Sequence, residues 1–292
     1  MPSRRTRKKG RRPPNPGPAT CSPYAARRNT KSCLAPNVLE SIARRTLKRR
    51  DGLPSGGSRS LQAEIANELG CKSDDERCIL ERSALSAKEK KSLLNTYFRP
   101  KMPDEWKSDP DAWLSSDDII HVMKQYEKAH PDFAFLGVVP IDFSAPNPYM
   151  TGSEKKCMND QFCHVDLKKE REKGVRILGA IFNLDPHYKD GSHWIALAID
   201  LKRNCVYYFD SYGVEPPKQI ARFMRYLTLQ EPRLRLESNG RRFQYSNSEC
   251  GMYSMYFIIR MIEGESFKKF CKNRIDDKYM LEFRKVLFDP NA

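Results

Sequence analysis

The sequence predicts an α+β protein in which helices flank a central, mainly antiparallel sheet, preceded by a helical N-terminal extension and a basic disordered tail. Three observations carry that reading. Val175 to Asn183, His193 to Asp200 and Cys205 to Ser211 are rich in β-branched and aromatic residues. They are separated by Asp185-Pro-His-Tyr-Lys-Asp-Gly191 and Leu201-Lys-Arg-Asn204, so they follow one another as antiparallel strands. The segments on either side instead place apolar residues at helical spacing. Finally, 292 residues with 39% hydrophobic content suffice for one large domain with a packed core and an appendage.

Taken in order, residues 1 to 36 combine the runs Arg4-Arg5, Arg7-Lys8-Lys9 and Arg11-Arg12 with prolines at 13, 14, 16, 18, 23 and 36, too few apolar groups to offset ordering entropy. Asn37 to Arg50 can form a short basic helix, and Asp51-Gly-Leu-Pro-Ser-Gly-Gly-Ser58 reads as a flexible break. Ser60 to Leu69 and Ser86 to Tyr97 are helical candidates, the first with Leu61, Ile65 and Leu69 on one stripe. After the proline-studded passage from Phe98 to Pro110, Ser115 or Ser116 can cap a helix whose stripe includes Ile119, Ile120, Met123 and Tyr126. Beyond the three strands, Pro216-Pro217 opens a helix through Leu227 and Arg241 to Tyr245 makes a short strand. A hydrophobic helix runs from Cys250 to about Glu263, and Asp276 to Phe288 supplies the last one. The resulting division is a basic head and linker at 1–58, a helical extension at 59–100 and the main domain at 101–292.

The formal charge of +15 suggests nucleic-acid binding until it is located along the chain. Residues 1 to 50 hold fifteen Lys/Arg against the single acid Glu40, so the head carries +14 and the remainder only +1. DNA contact is therefore a reading for the tail alone, and a solvated or targeting tail is the competing one. Nine cysteines without regular spacing predict no disulfide framework, and no apolar segment follows the charged start, which favours a reducing intracellular setting. No run approaches the roughly 18 apolar residues of a membrane span.

The segment Gln244-Tyr-Ser-Asn-Ser-Glu-Cys250-Gly251 carries the chemistry. A thiol is a useful nucleophile at neutral pH only as thiolate, and a helix N-terminus or a nearby imidazolium favours that form. Ser246, Asn247 and Ser248 are capping types, and an apolar helix follows, so Cys250 stands at its positive end. A lone Cys there is more often a small buried hydrophobe. The hairpin favours the catalytic reading over a strand-edge histidine and a turn-forming aspartate. With Asp200 opposite Cys205, Ile195 faces Asp210, and His193 lies diagonally beside that carboxylate on the same sheet face. Asp210 can then accept the imidazole N–H and leave the other ring nitrogen for the thiol. Asp200 points away by parity. Gln244 can aim its amide where an oxyanion forms, complementing the Cys250 N–H. Trp194, on the opposite face, either fills the core or screens the site from water.

These residues resemble the SUMO-specific and adenovirus-type cysteine endopeptidases of the ubiquitin-like protease superfamily. Gly191-Ser-His193-Trp194, Tyr208-Phe-Asp210-Ser211 and Gln244 with Cys250-Gly251 carry the likeness, and His193 and Asp210 stand 17 residues apart, as in that family. The resemblance covers roughly Trp113 to Phe288. It implies a papain-like site in permuted order, with Cys250 as nucleophile, His193 as general base, Asp210 as its orienter and Gln244 as oxyanion donor. Trp113 and Trp194 are the candidate substrate-binding residues, and neither a cofactor nor a metal is expected. Upstream, Tyr97-Phe-Arg-Pro100, Trp113-Leu-Ser-Ser-Asp-Asp-Ile119 and Phe133-Ala-Phe-Leu-Gly137 are similar to the polyprotein-processing branch of large nucleocytoplasmic DNA viruses, of African swine fever virus, iridovirus and mimivirus type. That likeness implies cleavage of viral structural precursors after Gly-Gly, in the virion and the host cytoplasm. Ser115-Ser116 stands where SUMO proteases often have Asn-Asp, and Glu249 where they often have Asp. The competing classes are a SUMO or ubiquitin-like deconjugase and a silent binding module with a nucleic-acid-binding tail. Cys157, Cys163, His164 and His187 form an alternative zinc set without paired CxxC order. Gly56-Gly57 doubles as a self-processing sequence in the linker.

Overall fold

The computed structural model describes residues 20–27, 32–47, 57–148, 150 and 157–292. Its N-terminal unit is built from α1 (Pro23–Ala26), α2 (Pro36–Thr46), α3 (Gly57–Leu69), α4 (Glu76–Arg82) and α5 (Ala87–Tyr97). Cys21, Leu34, Leu39, Ile42, Leu61, Ile65, Ile79, Leu80 and Phe98 form its separate apolar core. The disorder expected over residues 1–36 is thereby corrected at 20–27 and 32–36, which belong to this unit, while the helix expected from Asn37 is present as α2. Averaged over residues 1 to 36, the composition hides a short inward-facing set, Cys21, Ala25, Cys33 and Leu34, all at most 2% exposed. The buried Glu76 carboxylate accepts N–H bonds from Cys33 and Leu34 at 2.6 and 3.4 Å, which ties that stretch to α4. Residues 1–19 and the expected Gly56-Gly57 junction lie wholly or partly outside the described residues.

The expectation of unpaired thiols is also corrected: Cys21–Cys33, Cys71–Cys78 and Cys157–Cys163 are disulfides, leaving Cys205, Cys250 and Cys271 free. Each pair is only 12, 7 or 6 residues apart, so local helical turns bring the sulfurs together. Irregular spacing along the chain carries no trace of that geometry.

The main domain follows with α6 (Ser116–Ala129), β1 (Phe133–Pro140), α7 (Asp160–Cys163), α8 (Leu167–Glu172), β2 (Ile177–Asn183), β3 (Trp194–Asp200), β4 (Cys205–Phe209) and α9 (Lys218–Gln230). It closes with β5 (Arg235–Ser238), α10 (Cys250–Ile262), α11 (Phe267–Lys272) and α12 (Asp277–Leu287). Ser115 caps α6 as expected, in a reciprocal box with Asp118. The sheet order is β1-β2-β3-β4-β5, with β2, β3 and β4 antiparallel and Asp200 opposite Cys205, the predicted hairpin register. The outer strands join in parallel, β1 to β2 through α7 and α8, and β5 to β4 through α9. Residues 241–245, expected as a strand, form none. The N–H groups of Phe243 and Gln244 both donate to the Ser211 carbonyl, at 2.8 and 2.9 Å, and the ladder partner of β4 is Arg235–Ser238.

Strand parity divides the core. Trp194, Ala196 and Ala198 face α6, α10 and α12, whereas Ile195, Leu197 and Ile199 face α9 and the ring cluster of Phe143, Phe162, Phe182 and Phe223. Each such ring removed from water contributes on the order of 2 kcal/mol. Small residues on the first face let α10 lie against the sheet. A Cβ on Gly179 would sit 3.0 Å from Ile258 Cγ2, so the helix has little freedom to shift. That seat fixes where the first residue of α10, Cys250, emerges.

Candidate active site

His193 ends the loop that enters β3. Asn183 holds this loop, its Oδ1 accepting N–H bonds from Asp185 and Ser192 at 2.9 and 3.2 Å, while Leu184 N–H donates to the His193 carbonyl at 2.9 Å. Gly191, at φ +99°, packs so closely that a Cβ would lie 2.6 Å from Asn183 Nδ2. Across the hairpin, Asp210 Oδ1 stands 2.7 Å from His193 Nε2. The carboxylate is 2% exposed and also accepts N–H bonds from Tyr212 and Val214 at 2.9 and 3.3 Å. Asn239 fixes its backbone from both sides, accepting from Asp210 N–H at 2.8 Å and donating to its carbonyl at 2.7 Å. Tyr212 stacks on the imidazole at a centroid distance of 4.5 Å.

Burial alone disfavours a charged imidazole at position 193. The hydrogen bond to Asp210 and the neighbouring Cys250 sulfur outweigh it and raise the His193 pKa to about 9. The other free thiols lack such a neighbour. Burial, with Glu237 nearby, pushes Cys205 up to about 12, and burial pushes Cys271 up to about 11. Among the free thiols, only Cys250 combines an imidazolium neighbour with a helix N-terminus.

The cap of α10 is Glu249 rather than Ser246, Asn247 or Ser248, and its side chain does not cap. It turns instead to Arg284 of α12, Oε1 to Nη2 at 2.8 Å and Oε2 to Nε at 3.2 Å, with both side chains at most 3% exposed. Burial raises the Glu249 pKa against the opposing pull of Arg284. The guanidinium also lies 4.2 Å from the Trp106 ring and donates to the Ala112 carbonyl at 2.8 Å, so one arginine ties α12, the entry to α6 and the start of α10 together. Nothing in the local sequence marks Arg284, Asn239 or Tyr212 for these roles.

Gln244 is fully buried next to this group. Its Oε1 accepts from Ser211 Oγ at 2.7 Å, and its Nε2 donates to the Ser246 carbonyl at 2.8 Å, leaving one amide hydrogen uncommitted. Trp194 is 6% exposed and donates from Nε1 to the Leu114 carbonyl at 3.2 Å. It closes on Gly251, where a Cβ would come within 2.8 Å of Leu114 and 3.2 Å of Trp194. Trp113, by contrast, is 44% exposed. Both indoles line an open cleft of about 540 Å³ together with Val138, Pro140, His187 and Gly191. The alternative zinc set is not assembled: Cys157 and Cys163 are bonded to each other, His164 pairs with Asp160 at 3.0 Å and His187 with Asp142 at 2.6 Å. The arrangement can hold a thiolate–imidazolium pair and offer amide hydrogen to a developing oxyanion.

Residues 153–291 match the model of the Ulp1 protease family, C-terminal catalytic domain. A thiol protease of Acanthamoeba polyphaga mimivirus is 31% identical over 227 residues, spanning 73% of this chain and 68% of that protein. A cysteine protease of African swine fever virus is 25% identical over 252 residues, spanning 79% and 90%. In three dimensions, the crystal structure of the African swine fever virus protease superposes with a TM-score of 0.63 at 22% identity, covering 92% of this chain and 95% of that one, a likeness of fold.

Proposed function

Because this chain belongs to the Ulp1 protease family and is a cysteine-type peptidase, we propose that it is an endopeptidase cutting viral structural precursors after Gly-Gly during virion maturation. The observation that carries the reading is the His193–Asp210 pair, 2.7 Å apart and buried, beside a thiol at the first residue of a helix. In the proposed mechanism the Cys250 thiolate attacks the scissile carbonyl carbon. The carbonyl oxygen takes up the electron pair and is stabilised by the free amide hydrogen of Gln244 and the Cys250 N–H. His193 gives its proton to the leaving amine as the C–N bond breaks, then takes one from the water that hydrolyses the thioester. Asp210 keeps the ring oriented and supports its charge throughout.

The preference for glycine is carried over from the likeness to the Gly-Gly-cutting viral branch, and the cleft lined by Trp113 and Trp194 is the proposed path of the substrate chain. The virion and the infected cytoplasm are the proposed setting, following the viral relatives. A precursor fragment with a Gly-Gly-X site and a SUMO-tail fusion, each incubated with wild type and Cys250→Ala, test the function. Cleavage after Gly-Gly of the fragment alone, by wild type alone, is the expected result. Turnover of the SUMO fusion alone favours a deconjugase, and turnover of neither leaves a binding module. The proposed DNA contact falls on residues 1–19, and their deletion, which spares Cys21–Cys33, is expected to abolish salt-sensitive retention on DNA.

A further inference from the structure

Between Gln244 and Cys250 the chain leaves regular structure, yet the amide proposed to meet the oxyanion must be held to a fraction of an ångström. One carboxylate outside the segment holds it. Asp277, the first residue of α12, accepts the N–H of Tyr245 at 2.9 Å and of Ser246 at 3.0 Å on its Oδ2. Its Oδ1 accepts the hydroxyl of Tyr253, three residues along α10 from Cys250, at 3.0 Å. Tyr253 is fully buried, so that end of the clamp belongs to the same rigid helix that presents the thiol. The other end sets the 245–246 backbone, and the carbonyl of Ser246 is the group that orients Gln244 Nε2, at 2.8 Å. The remaining polar end of that amide is fixed by Ser211, the residue after Asp210.

We propose that Asp277 is a positioning residue that sets the oxyanion-binding amide of Gln244 relative to Cys250, acting through the Ser246 peptide. The inference rests on the role given to Gln244 above. It assigns the carboxylate no contact with substrate. Its function is to accept three hydrogens from two elements, adding to the contact that Tyr253 makes with Phe243, whose ring lies 6.3 Å from its own and whose carbonyl stands 3.5 Å from its hydroxyl. Nothing in the role requires its charge, because an asparagine can offer its oxygen to the two N–H groups and its NH2 to the Tyr253 oxygen.

The test uses the full-length protein, a fluorogenic peptide amide ending in Gly-Gly and the corresponding Gly-Gly aldehyde, whose adduct with the thiol carries an oxyanion. Removing one oxyanion donor costs about 10²- to 10³-fold in kcat, so Asp277→Ala, which loosens one without removing it, is expected to lower kcat about 10-fold or more. KM stays within twofold, and the aldehyde inhibition constant rises by the same factor as kcat falls. The pH profile of Cys250 alkylation by iodoacetamide is unchanged, since the His193–Asp210 pair is untouched. Asp277→Asn recovers most of the activity, and adding Asp277→Ala to Gln244→Ala lowers kcat no further. A wild-type kcat and aldehyde constant in Asp277→Ala, additivity in the double variant, or an alkylation profile lost in parallel overturns the proposal while leaving the role of Gln244 standing. A wild-type kcat in Gln244→Ala overturns that role and this one together. If the alanine variant does not fold, Tyr253→Phe, which removes one of the three donors, carries the same test. A several-fold weaker aldehyde is expected, and an unchanged constant refutes the clamp.

Discussion

Replacing Asp210 by asparagine isolates what the buried carboxylate contributes to the thiolate–imidazolium pair. A free imidazole titrates at 6.5, and at position 193 burial opposes its charge while Asp210 and Cys250 carry it to about 9. At 1.36 kcal/mol per pH unit, that rise corresponds to about 3 kcal/mol of preference for imidazolium, shared between the two partners. Asparagine keeps an oxygen for the Nε2 hydrogen, so the ring stays oriented while the charge is lost. Half to all of the preference is about 1.5 to 3 kcal/mol, which lowers kcat at neutral pH about 10- to 100-fold. The assay is steady-state turnover of a Gly-Gly peptide amide from pH 5 to 10, with denaturant unfolding at the same pH values. In the wild type the alkaline limb falls near 9, where the imidazolium loses the proton it must give to the leaving amine, and in Asp210→Asn it moves down by about 1 to 2 pH units. Stability follows the same group. A raised folded pKa means that its contribution is fully present below 6.5 and is lost as pH rises through about 9, a loss that shrinks in the variant. An alkaline limb that stays near 9, or a kcat within twofold of wild type in a folded variant, refutes the reasoning.

Two further substitutions probe the walls of the site. Gly251→Ala drives a methyl to 2.8 Å from Leu114 and 3.2 Å from Trp194, so urea unfolding is expected to register a loss of about 1 to 3 kcal/mol, with KM rising more than kcat falls as the indole is displaced. Arg284→Met leaves the Glu249 carboxylate buried without its cation and is expected to destabilise the fold by about 3 to 5 kcal/mol in the same assay. Pairing it with Glu249→Gln removes the stranded charge and recovers a substantial part of that loss.

The geometry that sequence conveys best is local. Asp200 and Cys205 bracket a short turn, so the register of the hairpin, and with it the nearness of His193 to Asp210, follows from counting residues. Ser115 and Asp276 announce the starts of α6 and α12 by their capping chemistry. What was not legible depends on contacts between distant segments. The parallel neighbours of the sheet arrive through crossovers whose endpoints no alternation pattern names. Asn239, Asp277 and Arg284 act on Asp210, on 245–246 and on Glu249 across 29 to 35 residues, and each is an ordinary polar residue in its own surroundings. The head was misjudged for a different reason. A window averaged over proline and arginine conceals the handful of apolar side chains that face inward from 21 to 34.

The two grips that α12 takes on the nucleophile segment, Asp277 on residues 245–246 and Arg284 on Glu249, bear on the order in which the enzyme becomes complete. Translation delivers imidazole, carboxylate, amide and thiol by residue 250, yet both grips are made at least 27 residues later. A nascent or prematurely terminated chain reaching only residue 270 therefore has every reactive group but lacks both of these grips. Full competence is then expected only with the last helix, and fragments left by interrupted synthesis are expected to be weaker proteases than the full chain.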